Sequence, residues 1–66
     1  MKFSLKTEIH SDDVVTLERA IKSVDPDADV HIDVDRKTVS VESWLMPEEF
    51  IVAFVEGDYE ARIVEA

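Results

Sequence analysis

The sequence predicts an α+β sandwich: a four-stranded antiparallel sheet with two helices on one face. Three observations predict it. Apolar residues alternate in four short stretches, and in two longer ones they recur at helical spacing. The six segments follow one another as β-α-β-β-α-β. The chain has only 66 residues, so these segments must share one core, and residues 1–66 are expected to form a single domain.

Lys2 to Glu8 reads as a half-buried strand, with Phe3 and Leu5 facing one way and Lys2, Ser4 and Lys6 the other. His10 to Asp13 carries helix-start signals. Ser11 or Asp12 is expected to cap, and the acids suit the positive end of the helix dipole. Val14, Leu17, Ile21 and Val24 then form one apolar stripe on a helix of about three turns, which Asp25-Pro26-Asp27 ends. Asp29 to Asp35 alternates again, with Val30, Ile32 and Val34 inward. A tight turn at Asp35-Arg36-Lys37 leads into Thr38 to Glu42, with Val39 and Val41 inward, so the pair reads as a β-hairpin. Pro47 suits a first helical position. Phe50, Ile51, Phe54 and Val55 give that helix its apolar face, and Gly57 is expected to take a left-handed backbone at its end. Tyr59 to Glu65 returns to strand, with Tyr59, Ala61 and Ile63 on one face. Right-handed crossovers complete a ferredoxin-like sandwich, a fold that hosts many functions.

Composition excludes several of them. Net charge is −9 and the pI is near 4.4, which opposes binding to nucleic-acid phosphates or to an anionic membrane surface. The absence of cysteine rules out disulfides, thiolate metal cages and cysteine nucleophiles. No apolar run is long enough to span a bilayer, and no signal peptide is evident, so the expected compartment is the cytoplasm. Enzyme signatures are missing. Gly57 is the only glycine, which excludes a glycine-rich phosphate loop, and no G-x-S-x-G elbow occurs. Acylphosphatases share the fold but use an arginine and an asparagine, and this chain has no asparagine. RNA-recognition modules display aromatics on the open sheet face, where this chain places Lys, Ser, Asp and His. A non-enzymatic role is expected.

Several segments carry a resemblance. Leu17-Glu18-Arg19-Ala20-Ile21 lies in the first helix, and Val30-His31-Ile32-Asp33-Val34-Asp35 with Lys37-Thr38-Val39-Ser40-Val41 forms the hairpin. Pro47-Glu48-Glu49-Phe50 and Gly57-Asp58-Tyr59-Glu60-Ala61 follow. With these the chain resembles the heavy-metal-associated domain of soluble copper chaperones and of metal-pumping ATPase tails. That family binds metal through two cysteines, three apart, in the loop entering the first helix. The corresponding positions here are His10 and Asp13, within His10-Ser11-Asp12-Asp13, and the methionine that usually precedes them is Glu8. The resemblance therefore implies a metal site at His10, Asp13 and Asp12 built from nitrogen and oxygen donors. Such a set suits zinc, nickel, cobalt or copper(II) better than Cu(I), which prefers thiolates. Zinc sites use about three or four ligands, so Asp12, Glu8 or Asp58 would complete this one if the last loop lies beside the first, as in the family. Tyr59 is a poor ligand because its phenol stays protonated at neutral pH. A metal transporter or a related domain is the partner that the resemblance implies.

Three further features stand apart. Asp25, Asp27 and Asp29 have the spacing that opens a calcium loop. The glycine position of such a loop is Val30 here, however, and its closing glutamate position is Arg36, so a solvated acidic turn is expected. His31 among Asp29, Asp33 and Asp35 is accounted for by cross-strand charge pairing with Lys2 and Lys6. Trp44, Leu45 and Met46 occupy a connection where turn residues are usual. An exposed apolar run there points to a partner contact or a homodimer, whereas a buried Trp44 would simply close the core. Two functions stay open. One is weak divalent-metal handling through the His/Asp-substituted site. The other is a non-catalytic protein-interaction module that kept the scaffold without the metal, docking through its acidic surface or through Trp44–Met46.

Overall fold

The computed structural model describes residues 1–65. Strand β1 spans Lys2–Leu5, helix α1 Ser11–Val24, β2 Asp29–Asp33, β3 Thr38–Glu42, α2 Pro47–Glu56 and β4 Ala61–Glu65. The strands form one sheet in the order β2-β3-β1-β4, with every neighbouring pair antiparallel. This is the ferredoxin-like sandwich that the sequence predicts. No helix among the described residues is long and apolar enough to cross a membrane.

Alternation sorts the sheet into two faces. Phe3, Leu5, Val39 and Val41 are buried toward the helices. Lys2, His31 and Ser40 share the open face, where Lys2 and His31 both stand opposite Ser40. Leu17 and Ile21 from α1 and Phe50 and Phe54 from α2 complete the core. The Phe3 ring meets Phe54 with centroids 5.1 Å apart and Phe50 at 6.4 Å. Ile9, just before α1, is also buried, although it belongs to no periodic stripe.

The pairing also sorts the connections. Strands β1 and β2 run in one direction, β3 and β4 in the other. The β1–α1, β2–β3 and α2–β4 connections therefore gather at one end of the sandwich. The α1–β2 and β3–α2 connections gather at the other.

Element boundaries differ from expectation where side chains or loops compete with the pattern. Strand β1 stops at Leu5, because Lys6 and Thr7 bond to the last loop instead. Strand β2 stops at Asp33. Residues 34–37 form a four-residue turn in which Asp33 Oδ1 accepts the Arg36 N–H at 3.2 Å and Lys37 adopts φ 55°. The N-cap of α1 is His10, not Ser11 or Asp12, because the Asp13 carboxylate folds back onto the His10 amide. At the end of α2, Gly57 has φ −89°, and Asp58, with φ 65°, takes the left-handed conformation in its place. Val55 faces solvent rather than the core. Tyr59 is buried, but it precedes β4 instead of opening it.

Candidate functional site

The first functional end is built around Asp13, the third residue of α1. Its Oδ2 accepts the His10 backbone N–H at 2.8 Å, the carboxylate half of a capping box. Its Oδ1 accepts the Tyr59 hydroxyl at 2.6 Å. The two loops are also joined through backbone: Lys6 N–H donates to the Glu60 carbonyl at 2.8 Å, and Glu60 N–H to Thr7 Oγ1 at 3.0 Å. The last loop thus lies beside the first, and the side chain that spans them is Tyr59.

Gly57 makes room for this contact. A Cβ there would approach the Tyr59 ring to 3.1 and 3.3 Å. Its φ is one that any residue adopts, so the constraint on Gly57 is space and not backbone conformation.

Hydrogen bonding sets the electrostatics. The Tyr59 hydroxyl, and after it the His10 amide, hold the Asp13 carboxyl below its ordinary value, and together they outweigh desolvation. Burial, then the hydrogen bond to Asp13, pushes the Tyr59 phenol up to about 12. At neutral pH the pair is a charged acceptor and a neutral donor, the arrangement of a strong charge-assisted hydrogen bond.

The expected metal donors distribute unevenly over this end. His10, Ser11 and Asp12 are exposed, while Asp13 is half-buried with both oxygens engaged. Among the described residues, no three or more His, Asp or Glu side chains converge on a position able to hold a metal ion. Neither Glu8 nor Asp58 therefore joins His10 and Asp13 in such a set. These residues do not fit the soft Cu(I) cargo of the resembled family: the thiols are absent, and the carboxylate at one of their positions already serves two donors. Sequence reasoning missed Tyr59 as the partner of Asp13. The available signal was a lone glycine two residues ahead of a lone tyrosine.

The opposite end is held by a second carboxylate. Asp25 is 5% exposed. Its Oδ1 accepts the Asp27 N–H at 3.0 Å, and its Oδ2 accepts the Ser43 hydroxyl at 2.6 Å. Ser43 Oγ in turn accepts the Leu45 N–H at 3.1 Å. The expected solvated turn is, at Asp25, a buried staple. Its calcium-like spacing reflects an Asx turn, in which the side chain bonds the backbone two residues on. Leu45 packs against the core, whereas Trp44 is 84% and Met46 64% exposed. Trp44 therefore does not close the core.

The open sheet face forms no site. The one ion pair among the described residues is the exposed Arg36–Asp33 contact at 3.9 Å, which contributes little. The expected pairing of Lys2 and Lys6 with hairpin carboxylates does not form, because β3 separates β1 from β2 and presents Ser40 and Thr38 between them.

No family model and no curated protein matches the chain. Solved structures do resemble it. A gold-binding protein superposes with a TM-score of 0.87 at 24% identity, covering 94% of this chain and 95% of its own. The copper chaperone Atx1 from Synechocystis PCC6803, in a trimeric form, gives 0.86 at 22% identity, covering 94% of this chain and 98% of its own. The Cu2 form of that chaperone gives 0.86 at 21% identity, covering 94% of this chain and 98% of its own. At these identities the likeness shows the fold: this chain is built on the sandwich found in small copper- and gold-binding proteins.

Proposed function

We propose that this domain is a non-catalytic, metal-independent protein-interaction module built on a metal-chaperone fold. One observation carries the proposal. Both oxygens of Asp13 are taken by protein donors, and one of them, Tyr59, ties the loop that carries the resembled family's ligand positions to the last loop. The scaffold has its own closure and needs no ion to order this end. Absence of any glycine-rich or nucleophile motif supports a binding role over an enzymatic one. The setting in this proposal is the cytoplasm. A metal transporter, a related domain or a second copy docked through Trp44, Leu45 and Met46 are the partners that fold and sequence suggest.

Zinc, nickel, cobalt and copper(II) titrations followed by calorimetry and by the His10 imidazole resonances test this. The expected result is no saturable binding below millimolar metal. A second reading, weak divalent-metal handling, draws support from His10 and Asp12, an imidazole and a carboxylate that both stand exposed at the start of α1. Stoichiometric binding that disappears in His10→Ala would establish that reading and overturn the first.

A further inference from the structure

The sheet has two outer edges, and they differ. The order β2-β3-β1-β4 leaves β2 and β4 each with one neighbour. Lys6 N–H donates to the Glu60 carbonyl. By alternation Glu60 and Arg62 bond inward to β1, and Ala61 and Ile63 turn their N–H and C=O outward. On the other side Leu5 N–H donates to Lys37 and Val41 N–H to Met1, which leaves Val30 and Ile32 as the outward residues of β2. The exposed side chains of β2 are Asp29, His31 and Asp33. Set antiparallel against a copy of itself about His31, β2 opposes Asp29 to Asp33, a like-charge pairing that protects this edge. Strand β4 carries instead Ile63 and Val64, 37% and 44% exposed, between one cation, Arg62, and one anion, Glu65. Its ladder with β1 shifts register past Ile63, so the edge is regular from Glu60 to Ile63.

The helix above continues this side. Helix α2 packs on α1 and on β4. The right-handed β3–α2–β4 crossover puts α1 at one flank of α2 and the free side of β4 at the other. Phe50 and Phe54 point to the core. Around a right-handed helix so oriented, Ala53 turns toward α1, and Ile51 and Val55 turn toward the free side. Ile51 is half-buried there and Val55 is 64% exposed. The heights agree as well. Ile63 stands beside Phe3 in the sheet. Phe3 lies under Phe50 and Phe54, with ring centroids 6.4 and 5.1 Å away, so Ile63 is level with the turn that presents Ile51 and Val55. Arg19 and Lys22 belong to α1, across α2 from this side.

We propose that this side, β4 with the Ile51 and Val55 flank of α2, pairs with the same side of a second copy. One two-fold axis, normal to the sheet and passing through Ile63, relates both layers. In the sheet it sets Ile63 opposite its equivalent and Arg62 opposite Val64, with no like charges directly opposed. In the helix layer it brings Ile51 of each copy to Val55 of the other. Glu48 borders that flank. Counted from the midpoint of Ile51 and Val55 at 1.5 Å per residue, it lies about 15 Å along the helix from its equivalent. An unrelated strand would make the edge hydrogen bonds without the helix contact, whereas a copy of this chain makes both. The proposal names the partner in the interaction-module reading and rests on it.

Sedimentation equilibrium in chelator, from about 10 μM to about 1 mM protein, tests it. The expected result is a monomer–dimer equilibrium that tightens as salt rises, because each copy carries a charge of −9 and screening weakens that repulsion. Amide exchange of Ala61 and Ile63 should slow as concentration rises, while Val30 and Ile32 on the opposite edge stay unchanged. Ile63→Lys and Val55→Lys, with folding checked by circular dichroism, should each weaken dimerisation about tenfold or more. Val52→Lys, on the outer side of α2, should stay within about twofold of the parent, as a surface substitution outside the contact does.

Three outcomes overturn the proposal. One is a monomer throughout that range. Another is a dimer indifferent to both Ile63→Lys and Val55→Lys, which lies on a different surface. The third is growth beyond the dimer, as pairing of β4 on β2 of the next copy would give, because that contact does not close. Metal binding at His10 would sink the parent reading but leaves sedimentation in chelator unchanged, so the two failures are separable.

Discussion

The two ends of α1 solve one problem with different means. At each end a carboxylate accepts one backbone N–H and one side-chain hydroxyl from a distant loop: Asp13 from His10 and Tyr59, Asp25 from Asp27 and Ser43. Asp13 sits where the helix dipole favours an anion, and Asp25 where it opposes one. Asp13 is half-buried and Asp25 almost wholly buried. The first contact lies on the surface of a closed loop pair, and water can replace part of it. The second is centred on the more deeply buried carboxylate. The difference teaches that the end resembling a metal loop is the more replaceable of the two, and that the fold leans on the other.

Asp25→Ala is the strongest test of that asymmetry. It removes the two hydrogen bonds that the Asp25 carboxylate accepts at a buried position, and a hydrogen bond to a charged group contributes about 1.5–3 kcal/mol. A core of this size supplies about 3–5 kcal/mol in all, so the variant should be partly unfolded. Urea unfolding should show the midpoint collapsing. Tyr59→Phe removes the equivalent bond at the other end and should lower the midpoint much less. Equal losses would break the comparison.

Gly57→Ala sharpens it. The substitution removes unfolded-state freedom, worth about 0.4–1 kcal/mol where the backbone allows alanine, and φ −89° does allow it. In the parent protein the Tyr59 ring, tethered by Asp13, cannot move away from the new Cβ, so no gain should appear. In the Tyr59→Phe background the ring is free to shift and the gain should emerge. Chemical denaturation of the four variants gives the coupling directly.

Most of the scaffold was legible because local period encodes it. Phe3 and Leu5, Val39 and Val41, and Leu17 and Ile21 all face where alternation or helical spacing puts them. The staples were not legible. Asp13 and Tyr59 are 46 residues apart and Asp25 and Ser43 are 18, and no local pattern records which hydroxyl will meet which carboxylate. The same gap explains the boundaries. His10 became the N-cap because Asp13 reached its amide, and the left-handed residue fell at Asp58, one position past Gly57. At His10, Asp12 and Asp13 the chain has helix-capping chemistry and metal-donor chemistry in the same residue types, and only the fate of the Asp13 oxygens distinguishes them.

The Asp13–Tyr59 contact has a pH signature. Asp13 is held below its ordinary value, so its contribution is present above the unfolded carboxyl range and lost as pH falls through the lower folded value. Tyr59 is raised from 10.0 to about 12, so its contribution is complete below 10.0 and fades as pH rises toward the folded value. Stability owed to this contact is therefore a plateau from weakly acid to weakly alkaline pH. As the only tyrosine, Tyr59 can be titrated by phenolate absorbance, with circular dichroism tracking the folded fraction. Asp13→Asn should move its midpoint part of the way back toward 10.0, because burial, the larger cause, survives the substitution. A midpoint that does not move would mean that the hydroxyl bond contributes nothing in solution.

The smallest expected effect is the most discriminating. Trp44 adjoins the Asp25 staple in sequence but not in burial, being 84% exposed between Ser43, which bonds Asp25, and Leu45, which packs on the core. Trp44→Ala should change stability by no more than about 0.5 kcal/mol, the range of surface substitutions away from such features. Leu45→Ala, one residue on, should cost clearly more. If Trp44→Ala proves as damaging as Leu45→Ala, then Trp44 belongs to the core and the buried end extends outward to include it. If it proves neutral, the largest side chain in the protein contributes nothing to the fold beside the end on which the fold leans most, and its use lies in what it contacts outside the chain.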